Sequence, residues 1–183
     1  MNAKIDVTGV KLESERLILR PWSFADLDDF YEYASVPGVG ERAGWPHHKS
    51  KEESLEILKH FIDGKRTFAI CYDNKVIGSL GLHEYNEKAL PDFSLGKGRE
   101  IGYALSKDYW GRGIMTEAVR KVIDYCFNDL HFDFLVCGAS TENKQSLRVQ
   151  EKCGFKYCKT IVYKTQLGEE KLTYLNILMN INI

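Results

Sequence analysis

The feature that most limits what this chain can fold into is the run Tyr109-Trp110-Gly111-Arg112-Gly113-Ile114-Met115-Thr116-Glu117-Ala118, where two glycines one residue apart lead into a strongly periodic segment. From Met115 onward, apolar residues fall at Ala118, Val119, Val122, Ile123, Cys126, Phe127 and Leu130, the spacing of one helical face. Residues 99–105 before the run read as a strand, and residues 132–138 after it are apolar enough for a strand buried on both faces. Strand, loop, helix, strand is a crossover, and it makes the second strand a parallel neighbour of the first. Gly111 and Gly113 allow backbone conformations and close approach that side chains forbid, so several N–H groups can converge on one point. The helix adds its unpaired first-turn donors and the positive end of its dipole, which favour a phosphate. Two glycines before a helix also make an ordinary turn, so the loop alone leaves both readings open.

The remaining elements fit around that unit. Leu17 and Leu19 alternate with Arg16, Ile18 and Arg20 in a first strand that stops at Pro21. Ser23 with Asp26 caps a helix carrying Phe24, Leu27, Phe30 and Tyr31, and Ser50 with Glu53 caps a second one carrying Leu55, Leu58, Phe61 and Ile62. Between them, residues 36–49 form a long loop with Trp45, His47 and His48. Residues 67–72 and 76–83 flank Asp73-Asn74-Lys75 as a hairpin, and residues 155–165 and 171–179 flank Gly168 as another. Asn143 opens a further helix that Cys153-Gly154 ends. The expected architecture is mixed α/β, with a mostly antiparallel sheet of about seven strands and about four helices. Residues 1–10 read as a tail and 11–180 as one domain, a size that 183 residues allow.

Composition excludes several classes of partner. Lysine and arginine total 25 against 26 aspartates and glutamates, so no overall basic field draws nucleic acid or an anionic membrane. No apolar run approaches a membrane span, and no signal-like segment is seen, so the expected location is cytoplasmic. The five cysteines lack paired metal-ligand spacing and read as buried, reduced thiols. The His47-His48 pair has no ligand-spaced partner, and no metal is expected.

Three separated stretches share one pattern: residues 16–21, residues 110–118, and Asn143-x-x-Ser146 continuing to Glu151-Lys152-Cys153-Gly154-Phe155. On these the chain resembles the GNAT superfamily of acyl-CoA-dependent N-acyltransferases, within it the RimJ/RimL branch of ribosomal-protein alanine N-acetyltransferases. The resemblance runs from about residue 11 to 180. It implies that the backbone of Trp110, Gly111, Arg112, Gly113, Ile114, Met115 and Thr116 binds the pyrophosphate of acetyl-CoA. Met115 stands where the family pattern has a small residue. The resemblance also implies a V-shaped slot between the strands at 99–105 and 132–138, with the pantetheine arm pairing near Leu105 and held by Asn143, and Ser146 placed to protonate the CoA sulfur.

Direct acetyl transfer to an amine needs a base, and Glu100 is the first choice, with Glu84 and His83 in reserve. Glu100, Gly102 and Ala104 share one strand face, where small neighbours leave room beside the carboxylate. Tyr31, Trp45, His47 and Glu84 are expected at the acceptor site, with Glu41 and Arg42 on the same loop wall. The acceptor implied by the resemblance is a protein N-terminal α-amine. A small-molecule amine, such as a polyamine or amino sugar, and a non-catalytic CoA sensor are the alternatives. Nucleotide triphosphate binding is a weaker rival, because the loop lacks the lysine followed by serine or threonine that a P-loop needs after its second glycine. Oligomeric state is left as monomer or homodimer.

Overall fold

The computed structural model describes residues 1–181. Among them the strands are β1 (Leu12–Glu13), β2 (Ile18–Pro21), β3 (Thr67–Tyr72), β4 (Lys75–His83), β5 (Gly98–Leu105), β6 (Phe134–Ser140), β7 (Lys156–Lys164) and β8 (Glu170–Met179). They form one sheet in the order β1-β2-β3-β4-β5-β6-β8-β7. All neighbours are antiparallel except β5 and β6, the pair joined by the helical crossover. Asp73 and Asn74 both have positive φ, the conformation a tight turn between β3 and β4 requires.

The β5–β6 pairing stops after three residues. Gly98, Arg99 and Glu100 face Phe134, Leu135 and Val136. Beyond that point β5 follows β4 as far as Leu105, while β6 follows β8 as far as Ser140. The sheet therefore splits into the expected V, with Glu100 at its base.

Helices cover both faces. The helices α1 (Leu27–Ala34) and α3 (Lys51–Gly64) bury Phe30, Tyr33 and Leu58 against Ala69, Val76 and Ala104. The helix α4 (Ile114–Asp124) buries Ile114, Ala118, Val119 and Val122 against Leu80, Leu82, Ile101 and Leu135 on the opposite face. Fully burying each such leucine, isoleucine or valine is worth about 1.5–3 kcal/mol, which fixes the helix start beside the V. The helix α5 (Lys144–Lys152) packs beside α4 over the other limb of the split.

Several boundaries differ from expectation. The sheet has eight strands rather than about seven, because β1 is two residues long and too short to show alternation. The loop 36–49 carries the single-turn helix α2 (Gly40–Ala43), so the described residues hold five α-helices rather than about four. Residues 1–10, expected as a tail, lie against the sheet: Asn2 bridges Gly98, and Ala3 and Val7 are buried. Regular α-helix ends at Asp124, and the chain continues in a wider turn closed by the Leu130 N–H on the Tyr125 carbonyl. Cys71, Cys126 and Cys137 are buried free thiols as expected, but Cys158 is exposed.

Candidate functional site

A cleft of about 1490 Å³ runs through the V, from the start of α4 to the face carrying Glu100. At one end Gly111 and Gly113 adopt φ of +76° and +75°. A Cβ at Gly111 would meet nothing within 4 Å, so glycine is required there for backbone conformation rather than for space. Gly113 is the N-cap of α4 and has no side chain to accept the first-turn N–H groups, which leaves them available to an anion. Met115 does not fill this nest. Its side chain is 7 % exposed and belongs to the core under the sheet.

The nest is braced from the turn between β1 and β2. Arg16 donates from Nε to Glu117 in the first turns of α4 at 2.7 Å and from Nη1 to the Arg112 carbonyl at 3.1 Å. The Glu117 carboxylate also accepts from the Arg16 backbone and the Ser14 hydroxyl, which ties the N-terminal strand motif to the loop. Arg112 turns its guanidinium over the Tyr109 ring, 5.3 Å away, and is the one residue of 110–116 that does not line the cleft. The Leu105 carbonyl, expected to pair with a cofactor arm, accepts the Trp110 indole N–H at 2.8 Å.

Across the V, Asn143 caps α5: its Oδ1 accepts from the Ser146 N–H at 3.2 Å, and its Nδ2 donates to the Arg42 carbonyl. The Ser146 hydroxyl shares a 2.9 Å hydrogen bond with the Tyr103 phenol and accepts from Gln150 Nε2 at 3.2 Å. Gln150 is 1 % exposed and accepts in turn from Asn176 on β8. Burial pushes the Tyr103 phenol well above its ordinary range, so it stays protonated and can donate to Ser146. Reading the sequence for motifs passed over Tyr103 and Gln150. The available signal was a polar set, Asn143, Ser146 and Gln150, on one side of a helix.

Glu100 lies on the other face of β5 from Tyr103. Burial raises its carboxyl from 4.5 to about 7. Its neighbour across β4 is His83, which burial, with Arg66 and Arg99, holds below its usual value and therefore neutral. The space expected beside Glu100 is not provided by Gly102: a Cβ there would approach the His83 ring to 3.0 Å. Instead the Glu100 carboxylate packs against Gly138 on β6, where a Cβ would lie a tight 3.2 Å from Oε1.

Residues of the loop 36–49 line one wall of the cleft, with His48 rather than His47 facing it. His48 lines the cleft, is buried against the Phe30 and Trp45 rings, and shares a 2.7 Å hydrogen bond with Ser54. His47 instead pairs with Glu41 at 2.7 Å and does not line it. Burial opposes the charge on Glu41, but His47 and the backbone N–H groups of Gly38 and His47 hold its carboxyl at about 2. Trp45 lines the cleft, whereas Tyr31, on α1, does not reach it. Glu84 stands at the rim with an exposed carboxylate 3.8 Å from Arg99. Arg42, on the same loop, sits 4.8 Å over the Trp110 ring and donates to Gln145 at 2.6 Å, so the loop spans both limbs of the V. Among the described residues no three histidine, cysteine or acidic side chains gather as a metal site, and no helix is long and apolar enough to cross a membrane.

The family described as an acetyltransferase (GNAT) domain matches residues 16–156. The probable N-acetyltransferase YjcK of Bacillus subtilis strain 168 is 41 % identical over 145 residues, covering 79 % of this chain and 71 % of YjcK. A GNAT-family acetyltransferase from Bacillus anthracis superposes with a TM-score of 0.80 at 21 % identity, over 93 % of this chain and 99 % of that one. RimL, the ribosomal L7/L12 alpha-N-protein acetyltransferase solved in complex with coenzyme A, superposes with a TM-score of 0.73 at 16 % identity, over 92 % of this chain and 97 % of that one.

Proposed function

Given that the chain belongs to the acetyltransferase (GNAT) domain family and is an N-acetyltransferase, we propose that it moves an acetyl group from acetyl-CoA directly to the α-amine of a protein N-terminus. The observation that carries this reading is Glu100, a sheltered carboxylate with a pKa of about 7 at the base of the V. At pH 7, freeing an α-amine of pKa about 8 costs on the order of 1 kcal/mol, against roughly 4.6 for a lysine near 10.4. A base near 7 is matched to the first task and poorly to the second.

The residues fit the cofactor. The left-handed glycines and the uncapped start of α4 suit a pyrophosphate, and Lys144, Arg148 and Lys152, at four-residue spacing along α5, line the same cleft. Bound acetyl-CoA supplies an activated thioester. Glu100 takes the proton of the incoming amine, directly or through a water. Ser146, held by Tyr103 and Gln150, offers its hydroxyl proton to the departing sulfur. No covalent relay is required, and the buried Cys137 thiol, raised far above its usual value by burial, is a poor nucleophile.

A small-molecule amine is the second reading, favoured by the Gln166 N–H bonded to the Gly44 carbonyl at 2.9 Å, which joins the β7–β8 tip to the acceptor loop and narrows that approach. RimL is named for acetylating a protein α-amine, which supports the first. The test is thiol release and product mass spectrometry with acetyl-CoA over peptides, polyamines and amino sugars. N-terminally acetylated peptides are expected. Acetylation confined to small amines would replace this reading with the second, and saturable CoA binding without turnover would mark a sensor.

A further inference from the structure

The geometry points to an acceptor whose amine stands over Gly138 beside Glu100 and whose neighbouring substituent is aliphatic and uncharged, with Gly138 setting that specificity. This rests on the acetyltransferase reading and goes on to name the class of acceptor.

Gly138 is an interior residue of β6, paired with Leu175, and its φ is not left-handed, so no backbone requirement explains the glycine. An interior strand glycine of this kind marks a close approach by something else. Around the position its Cβ would take stand Glu100 Oε1 at 3.2 Å, Leu175 Cδ2 at 3.4 Å and Thr173 Cγ2 at 3.6 Å. Gly138 thus lets the Glu100 carboxylate and two apolar carbons close around one point of the cleft wall, which Gly138 and Glu100 both line. The same part of the cleft is walled by Leu90, Val136, Ile161 and Leu175, an apolar cluster distinct from the two helix-covered cores.

The charges on this side of the cleft are largely engaged by the protein itself. Glu41 is held by His47, Glu53 accepts from the Lys49 N–H at 2.8 Å, and Glu84 lies near Arg99. Lys171 pairs with Glu169 at 2.9 Å. A polyamine needs a second carboxylate for its second cation, and an amino sugar needs polar partners for its hydroxyls. An aliphatic group instead gains by leaving water for the Leu90–Ile161–Leu175 wall, at about 25 cal/mol per Å².

The experiment uses pentapeptides identical except for a first residue of Gly, Leu, Phe, Asp or Lys, with spermidine and glucosamine alongside, assayed with acetyl-CoA. The wild-type protein is expected to favour the Leu peptide over the Gly peptide about tenfold in kcat/KM and to turn over the Asp and Lys peptides least. Gly138→Ala should lower kcat/KM for the Leu peptide at least tenfold while leaving the CoA dissociation constant and the urea midpoint close to wild type. Ile161→Ala, on a half-buried position, should shift preference toward a peptide beginning with Phe. Preference for spermidine, glucosamine or the charged peptides, or acceptor kinetics untouched by Gly138→Ala, would overturn this inference while leaving the transferase reading intact. Turnover of none of these amines by a protein that binds CoA would overturn both.

Discussion

Glu100 places stability and catalysis in opposition within one residue. Its carboxyl is raised from 4.5 to about 7 by burial, so the native state binds its proton more tightly than the unfolded chain does. Its stabilising contribution is fully present below about pH 4.5 and is lost as pH rises through about 7, a decline of about 3 kcal/mol. The groups facing it from the neighbouring strands do not offset this: His83 on β4 is neutral, and Gly138, Thr173 and Leu175 carry no charge. Urea titrations at pH 5 and pH 8 should show Glu100→Gln gaining most of that difference at pH 8. The same substitution should lower kcat about 10²-fold or more and remove the rise of kcat/KM through pH 7 expected of the wild type. Ser146→Ala should reduce kcat about tenfold with little change in CoA affinity, because its hydrogen bond counts when charge develops on sulfur. Tyr103→Phe, acting through Ser146, should reduce kcat less and lower no binding constant. The sequence pointed to Glu100 and Ser146, but Tyr103 emerged only from folding, since its hydroxyl meets Ser146 across 43 residues of chain.

The α4 start shows what an element adds to its residues. Gly111 and Gly113 cost the helix nothing in packing, so replacing either with alanine penalises only the left-handed backbone, by about 1–2 kcal/mol. Calorimetric titration with CoA should show Gly113→Ala binding about tenfold more weakly, and an unchanged affinity would argue against the nest as the phosphate site. Met115→Ala separates packing from binding. It removes a core side chain and should cost about 2–5 kcal/mol of stability with a much smaller loss of CoA affinity. From sequence the residue stood where a small one was expected. The turn of α4 directs its side chain into the sheet, because a helical side chain's direction follows the helix phase rather than its place in a motif.

Across the whole molecule, the loop 36–49 joins parts far apart in sequence. Arg42 meets Trp110 and Gln145, Asn143 donates to the Arg42 carbonyl, and Gly44 accepts from Gln166 on the β7–β8 tip. Arg42→Ala should therefore speed CoA release several-fold in stopped-flow measurements while changing thermal stability little, since its contacts are exposed polar ones. A release rate equal to wild type would show that the loop does not clasp the slot.

The sequence alone determined the periodic helix, the parallel crossover, both hairpins and the glycine nest, because each is written in local spacing and in residues with restricted backbone freedom. It also singled out Asn143 and Ser146 through their motif and Glu100 through strand alternation as candidates. Only the tertiary structure decided which histidine faces the cleft, that Tyr31 stays outside it, and that Gly138 is the residue the Glu100 carboxylate packs against. Those outcomes depend on strand register and on which side chain crosses to fill a gap, as His83 does over Gly102. A one-residue change of register would reverse every such face, and nothing local records it.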